Sequence, residues 1–120
     1  MDNRRFKRFP CQLQLRFQLC QTGGRMVGPY QGRTINFSAG GLLLTTSCPL
    51  LRFGHLIAIK FIQGGLPSPP AEYFARVIRV KHLETPLPRQ LYRVAADFRF
   101  INEARRAEIV AFLNRCLLNR

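Results

Sequence analysis

The sequence predicts a mostly β fold, about six short antiparallel strands closing into a barrel and followed by one C-terminal α-helix. Three observations predict it. Cys11 to Leu19 alternates strictly, with Cys11, Leu13, Leu15, Phe17 and Leu19 on one side and Gln12, Gln14, Arg16 and Gln18 on the other. Leu91 to Phe100 alternates again, with Tyr92, Val94, Ala96, Phe98 and Phe100 pointing one way. After Asn102 the period changes: Ile109, Phe112, Leu113, Cys116 and Leu117 recur along one helical face. Short antiparallel strands must hide their edges, and closure removes them; the helix would then cover an open end or a seam.

The elements follow in order. The first strand, Cys11 to Leu19, ends at the turn Thr22-Gly23-Gly24. A second strand covers Gly32 to Ile35 and runs into Asn36-Phe37-Ser38-Ala39-Gly40-Gly41, residues that tolerate tight backbone geometry and so mark a connection. Leu42 to Thr46 resumes as strand, and His55 to Ile62 is the next, closed by Gly64-Gly65 and the loop Pro67-Ser68-Pro69-Pro70. Glu72 to Leu83 carries Arg76 and Arg79 three apart, a break in alternation that signals a bulge. Leu91 to Phe100 is the last strand. Asn102 caps the helix through its side-chain oxygen, and Glu103 sits beside the positive end of its dipole.

A chain of 120 residues with 47% hydrophobic and 21% charged residues makes one globular domain. Its charge is less ordinary: 19 cations against 6 acids give +13, and 16 of the cations are Arg against 3 Lys. Arg suits planar, bidentate capture of phosphate and guanine edges, so a negatively charged partner is expected. A basic surface that serves only solubility is the alternative.

Cys11, Cys20, Cys48 and Cys116 form no closely spaced pair and do not cluster with His55 or His82, so neither zinc nor another metal is expected. No apolar run approaches the roughly 18 residues of a membrane span, and no secretory pattern opens the chain. The reading is a cytoplasmic protein with reduced thiols. The acids are scattered singly, no nucleophile stands beside a histidine, and no phosphate-cradling glycine loop appears. The chain therefore does not read as an enzyme, and no cofactor is called for.

Two short motifs remain. Arg4-Arg5-Phe6-Lys7-Arg8 gathers four cations just before the first strand, and Asn36-Phe37-Ser38-Ala39-Gly40-Gly41 begins 28 positions after Arg8. Alone, the first also reads as a solvated tail and the second as a well-made turn. Together, in this order and on this strand pattern, they resemble the PilZ domain family, whose motifs are RxxxR and [D/N]xSxxG. The likeness continues through Ala75 to Val80, Val94 to Phe98 and the capped helix, and so covers nearly the whole chain. Asn36 stands where Asp is commoner, and Ala75 and Ala95 stand where the family often has Gly.

The resemblance implies a six-stranded β-barrel that binds the bacterial second messenger cyclic di-GMP without catalysis. It would consist of a flexible basic arm over 1–10 and a barrel over 11–120 with its helix at about 102–118. It implies that Arg4 and Arg8 clamp the ligand with Arg5 in support. Asn36 and Ser38 would offer polar groups to a guanine edge or phosphate, while Gly40 and Gly41 would allow close approach. A guanidinium fork meets guanine O6 and N7 with two parallel hydrogen bonds, and the same fork clamps phosphate. Occupancy would pass to a protein partner controlling motility, biofilm or exopolysaccharide output. Two other readings stay open: a basic barrel binding single-stranded nucleic acid, and a protein-interaction module that needs no nucleotide. Nucleic acid ranks below the messenger because the basic residues are spread along the chain with no RNP-like strand motif.

Overall fold

Antiparallel pairing carried round a full ring closes this chain into a barrel. The structure is a computed structural model and describes residues 9–10, 12–63, 66–67, 72–86 and 90–118. Its elements are β1 (Phe9–Pro10), β2 (Gln14–Cys20), β3 (Met26–Phe37), β4 (Gly41–Thr46), β5 (Leu56–Gln63), β6 (Leu66–Pro67), β7 (Tyr73–Leu83), β8 (Leu91–Arg99) and α1 (Glu103–Leu118). The long strands pair antiparallel in the order β3-β2-β5-β7-β8-β4, and a further β3–β4 ladder closes the ring. The two-residue strands sit outside it, β1 on β3 and β6 on β5.

The inward faces of β2 and β8 are those the alternation marks. Leu15, Phe17 and Leu19 of β2 are buried, as are Ile57, Ile59 and Phe61 of β5 and Val94, Ala96 and Phe98 of β8. Leu13 is only half-buried, and Cys11 lies outside the described residues. In β7 the register shifts between Val77 and Arg79, so the expected bulge is present, at Ile78.

Two expectations are corrected. The second strand is not the short Gly32 to Ile35 segment but the whole of β3. Gly28 (φ 125°) and Pro29 hide its first half, because a glycine and a proline read as breakers. Here they fall where the β2–β3 register shifts between Phe17 and Leu19, and an irregularity tolerates the missing donor. Phe100 does not continue the inward face of β8. It is 79% exposed with φ 58°, turning the chain toward the helix, and its ring packs edge-on against Phe74 at 5.9 Å.

The helix begins as the sequence requires. Asn102 Oδ1 accepts from the Arg105 amide at 2.8 Å, which satisfies one free N–H of the first turn. Ile109 and Phe112 are buried; the side chains of Leu113, Cys116 and Leu117 lie outside the described residues. Phe112 meets Phe61 at 5.5 Å and Phe37 at 6.5 Å, so the helix closes the barrel end where β3, β5 and β8 finish. Arg105 adds a stack over the Tyr73 ring at 5.1 Å and donates to the Glu72 carbonyl at 2.9 Å.

Candidate functional site

The β3–β4 corner is built by a bulge and a serine-closed turn. Thr34 pairs with Leu44 but Asn36 pairs with Leu43, so Ile35 is the extra residue. Strict alternation from buried Thr34 would have pointed Asn36 into the core and Phe37 to the outside. The bulge reverses this: Phe37 is fully buried among Phe61, Phe98 and Phe112, and Asn36 is released to the wall. The spacing of Thr34 and Phe37, three apart on an alternating strand, is the signal that could have located it.

Beyond Phe37 the turn is nearly saturated with hydrogen bonds. The Ser38 hydroxyl accepts from the Gly40 amide at 3.1 Å and the Gly41 amide at 3.2 Å, and lies 3.3 Å from the Gly41 carbonyl to which it donates. The Ser38 amide donates to the same carbonyl at 2.9 Å, and the Phe98 amide donates to the Gly40 carbonyl at 2.9 Å. From the helix, Arg106 Nη1 donates to the Ala39 carbonyl at 2.7 Å. The turn is therefore held by itself, by β8 and by α1.

This changes the reasons attached to two residues. Ser38 is only 5% exposed and spends its hydroxyl on the turn, so the structure gives it a shaping role. Gly41 is required by the neighbouring strand: a Cβ there would run into the Ala96 carbonyl oxygen and crowd the Asp97 Cα at 3.1 Å. Gly40 is half-buried and contributes its amide to Ser38 and its carbonyl to β8.

Asn36 is the exception in this corner. Its Oδ1 is buried and accepts no hydrogen bond from the described residues. Buried acceptors nearly always find a donor, because leaving one bare costs about 1–3 kcal/mol. Directly across from Asn36 lies Pro10, and Phe9 lies across from Phe37. The lateral row through Asn36 continues over Leu43 and Ala95 to Arg79. Ala95 in this row is buried, Leu43 is half-buried, and Arg79 at its far end is exposed. Arg79 was legible in the sequence only as a bulge marker. Arg4, Arg5 and Arg8 lie outside the described residues.

The PilZ domain family model matches residues 2–115. The chain belongs to the PilZ domain family. Among solved structures it is similar to the PilZ domain of YcgR from Escherichia coli with cyclic di-GMP, at TM-score 0.72 and 13% identity, covering 98% of this chain and 94% of that one. It is also similar to the K. pneumonia MrkH complex with cyclic di-GMP, at TM-score 0.68 and 19% identity, over 99% of this chain and 54% of that one. The Bacillus subtilis inhibitor of motility MotI/DgrA follows at TM-score 0.65 and 16% identity, over 100% of this chain and 53% of that one. This PilZ chain thus spans about half the length of MrkH and MotI/DgrA. No curated protein matches it in sequence.

Other chemistry in this PilZ domain is limited. Burial, and then the charge of Glu72, push the Cys20 thiol above its ordinary range, the opposite of what a nucleophilic cysteine needs. Among the described residues no group of three or more His, Cys, Asp or Glu is placed to hold a metal. No helix among them is long and apolar enough to cross a membrane.

Proposed function

We propose that this PilZ domain is a non-catalytic receptor for cyclic di-GMP, acting in the cytoplasm through a protein partner. The carrying observation is the bare, buried Asn36 Oδ1 beside the root of the RxxxR arm. That oxygen is an acceptor and needs an N–H donor. A phosphate offers none, whereas the Watson–Crick edge of guanine offers N1–H and the N2 amino group. Asn36 therefore reads the base, and the arginines hold phosphates and the Hoogsteen edge.

Chain length supports the same pocket. Pro10 is registered opposite Asn36, and Arg8 is only two residues upstream. Two residues span at most about 7 Å, so Arg8 is tethered to the corner whatever the arm does. The turn that carries Asn36 is pinned on several sides, so the corner is a firm seat. Ser38, Gly40 and Gly41 serve binding by holding that seat. A ligand that engages the arm and the corner together favours one arrangement of the arm, which is how occupancy is passed to a partner.

Titration calorimetry on the folded chain tests this, with cyclic di-GMP, cyclic di-AMP and GMP as titrants. Cyclic di-GMP binds more tightly than either: adenine has an acceptor at N1 where guanine has a donor and can offer Asn36 only its N6 amino group, and GMP brings one base and one phosphate where the cyclic dinucleotide brings two of each. Arg8→Ala weakens binding at least about 30-fold, the equivalent of the lower end of the roughly 2–5 kcal/mol lost when one member of a desolvated charge pair is deleted. Absence of heat with cyclic di-GMP from folded protein overturns the proposal.

A further inference from the structure

The β5–β7 ladder stops where the β7–β8 ladder goes on. β7 pairs with β5 from Tyr73 to Arg76. Val77 still bonds to the chain just before β5, its amide donating to the His55 carbonyl and its carbonyl accepting from the Gly54 amide, each at 2.8 Å. There the neighbouring chain leaves. The His55 amide donates to the Arg52 carbonyl at 3.1 Å, closing a tight turn with Gly54, at φ 90°, in the position that requires positive φ. β8 stays paired to β7 as far as Leu83. From Ile78 to Leu83, β7 therefore has β8 on one side and no strand on the other among the described residues. Six residues make about 20 Å of edge, the length of an ordinary strand.

Alternation settles which groups face that edge. Val77 points its N–H and C=O toward the β5 side, and the extra residue Ile78 resets the order. Val80 and His82 then turn theirs to the open side, while Arg79, Lys81 and Leu83 bond to β8. Side chains alternate as well. Arg79 and Lys81 are exposed on the outer face, where Lys81 stands opposite Arg93. Val80 and His82 lie on the inner face, Val80 half-buried against the core and His82 beside the Tyr92 ring at 5.1 Å.

Charge decides what such an edge accepts. A strand laid beside β7 sets alternate side chains next to Arg79 and Lys81 on the outer face, and the others next to Val80 and His82 on the inner face. Arg79, Lys81 and Arg93 make no ion pair among the described residues. A second copy of this edge would set cations against cations, and the chain's own arm, Arg4-Arg5-Phe6-Lys7-Arg8, is just as basic. The register asks instead for acids alternating with apolar residues.

We propose that the open edge of β7, from Ile78 to Leu83, docks an extended segment of a partner protein in which acidic and apolar residues alternate, added to the sheet as a further strand. Exposed Phe53, on the turn bonded to Val77, and exposed Ile78 give the foot of this edge an apolar contact. The site stands whether or not the chain binds a nucleotide.

Amide hydrogen exchange followed by NMR on the full chain tests it, with an octapeptide of alternating Glu and Val as the probe. In the free protein the amides of Val80 and His82 exchange quickly and those of Lys81 and Leu83 slowly; the peptide slows the first pair. An octapeptide of alternating Lys and Val has no effect. His82→Pro removes one edge donor without touching the β8 ladder, and Lys81→Glu reverses a charge beside the added strand. Each weakens peptide binding about 5-fold. Should His82→Pro not fold, Lys81→Glu carries the comparison alone. The proposal is overturned if Val80 and His82 are already protected in the free monomer, or if the Glu and Val peptide leaves their exchange unchanged. It is equally overturned if octaglutamate protects them as well, since charge alone would then suffice. Protection that appears only on dimerisation, or with oligothymidylate in place of the peptide, would give the edge to a second copy or to nucleic acid and overturn it too.

Discussion

Arg106 on the helix donates to the carbonyl of Ala39 at 2.7 Å, joining α1 to the tip of the β3–β4 turn across 67 residues of sequence. The helix that plugs the barrel end therefore also holds the corner carrying Asn36. A charged donor on a partly buried carbonyl contributes about 1.5–3 kcal/mol. Arg106→Leu keeps the apolar stem and deletes the donor. Urea unfolding should show a loss of about 1.5 kcal/mol, and calorimetry a weaker affinity for cyclic di-GMP. An unchanged affinity would mean that the corner keeps its shape without the helix.

Gly41 separates a packing role from a ligand role. A Cβ at this position meets the Ala96 carbonyl of β8, which is backbone and has little room to yield. Gly41→Ala should therefore destabilise the free protein by about 2 kcal/mol or more, with no ligand present. Thermal melting of the apo protein checks it. A variant that melts like wild type while losing cyclic di-GMP binding would place the close approach at the ligand instead.

How far the sequence disclosed all this depends on whether contacts are local. Alternation located β2 and β8, because burial of one face is written into consecutive residues, while β4, β5 and β7 were placed by the turn and loop residues around them. The bulge at Ile78 was visible in the spacing of Arg76 and Arg79. The first half of β3 was not, since Gly28 and Pro29 break the pattern and only pairing with β2 shows why they are tolerated. In the corner, the motif was legible but its division of labour was not. That Gly41 answers to Ala96, that Ala39 answers to Arg106, and that Asn36 Oδ1 meets no donor among the described residues are facts about strand neighbours and the helix. The paired cations are the extreme case, because register alone sets Lys81 opposite Arg93 and Lys60 opposite Arg16.

The bare oxygen of Asn36 implies a conflict between stability and binding. Asn36→Leu keeps the number and branching of side-chain heavy atoms and removes a buried acceptor whose desolvation costs about 1–3 kcal/mol. The variant should be more stable than wild type by about 1 kcal/mol and should lose cyclic di-GMP binding. Asn36→Asp restores an acceptor for a guanine N–H edge and should bind. Denaturant titration paired with calorimetry reads both effects. A less stable Asn36→Leu would show that the amide already has a donor in the folded protein.

Lys81 and Arg93 face each other in register, and the sign of that contact can be read directly from salt dependence. Like charges directly opposite destabilise an antiparallel pair, and an opposite pair contributes about 0.2–1 kcal/mol. Lys81→Glu converts one into the other on an exposed surface, where screening keeps the gain at the lower half of that range. In wild type, added salt weakens the repulsion between Lys81 and Arg93 and should raise the melting temperature. In the variant, the same salt weakens an attraction, so the rise shrinks or reverses, while at low salt the variant melts higher than wild type by a few degrees. Identical melting curves at low and high salt for both proteins would mean that the two side chains splay apart and do not feel each other across the β7–β8 ladder.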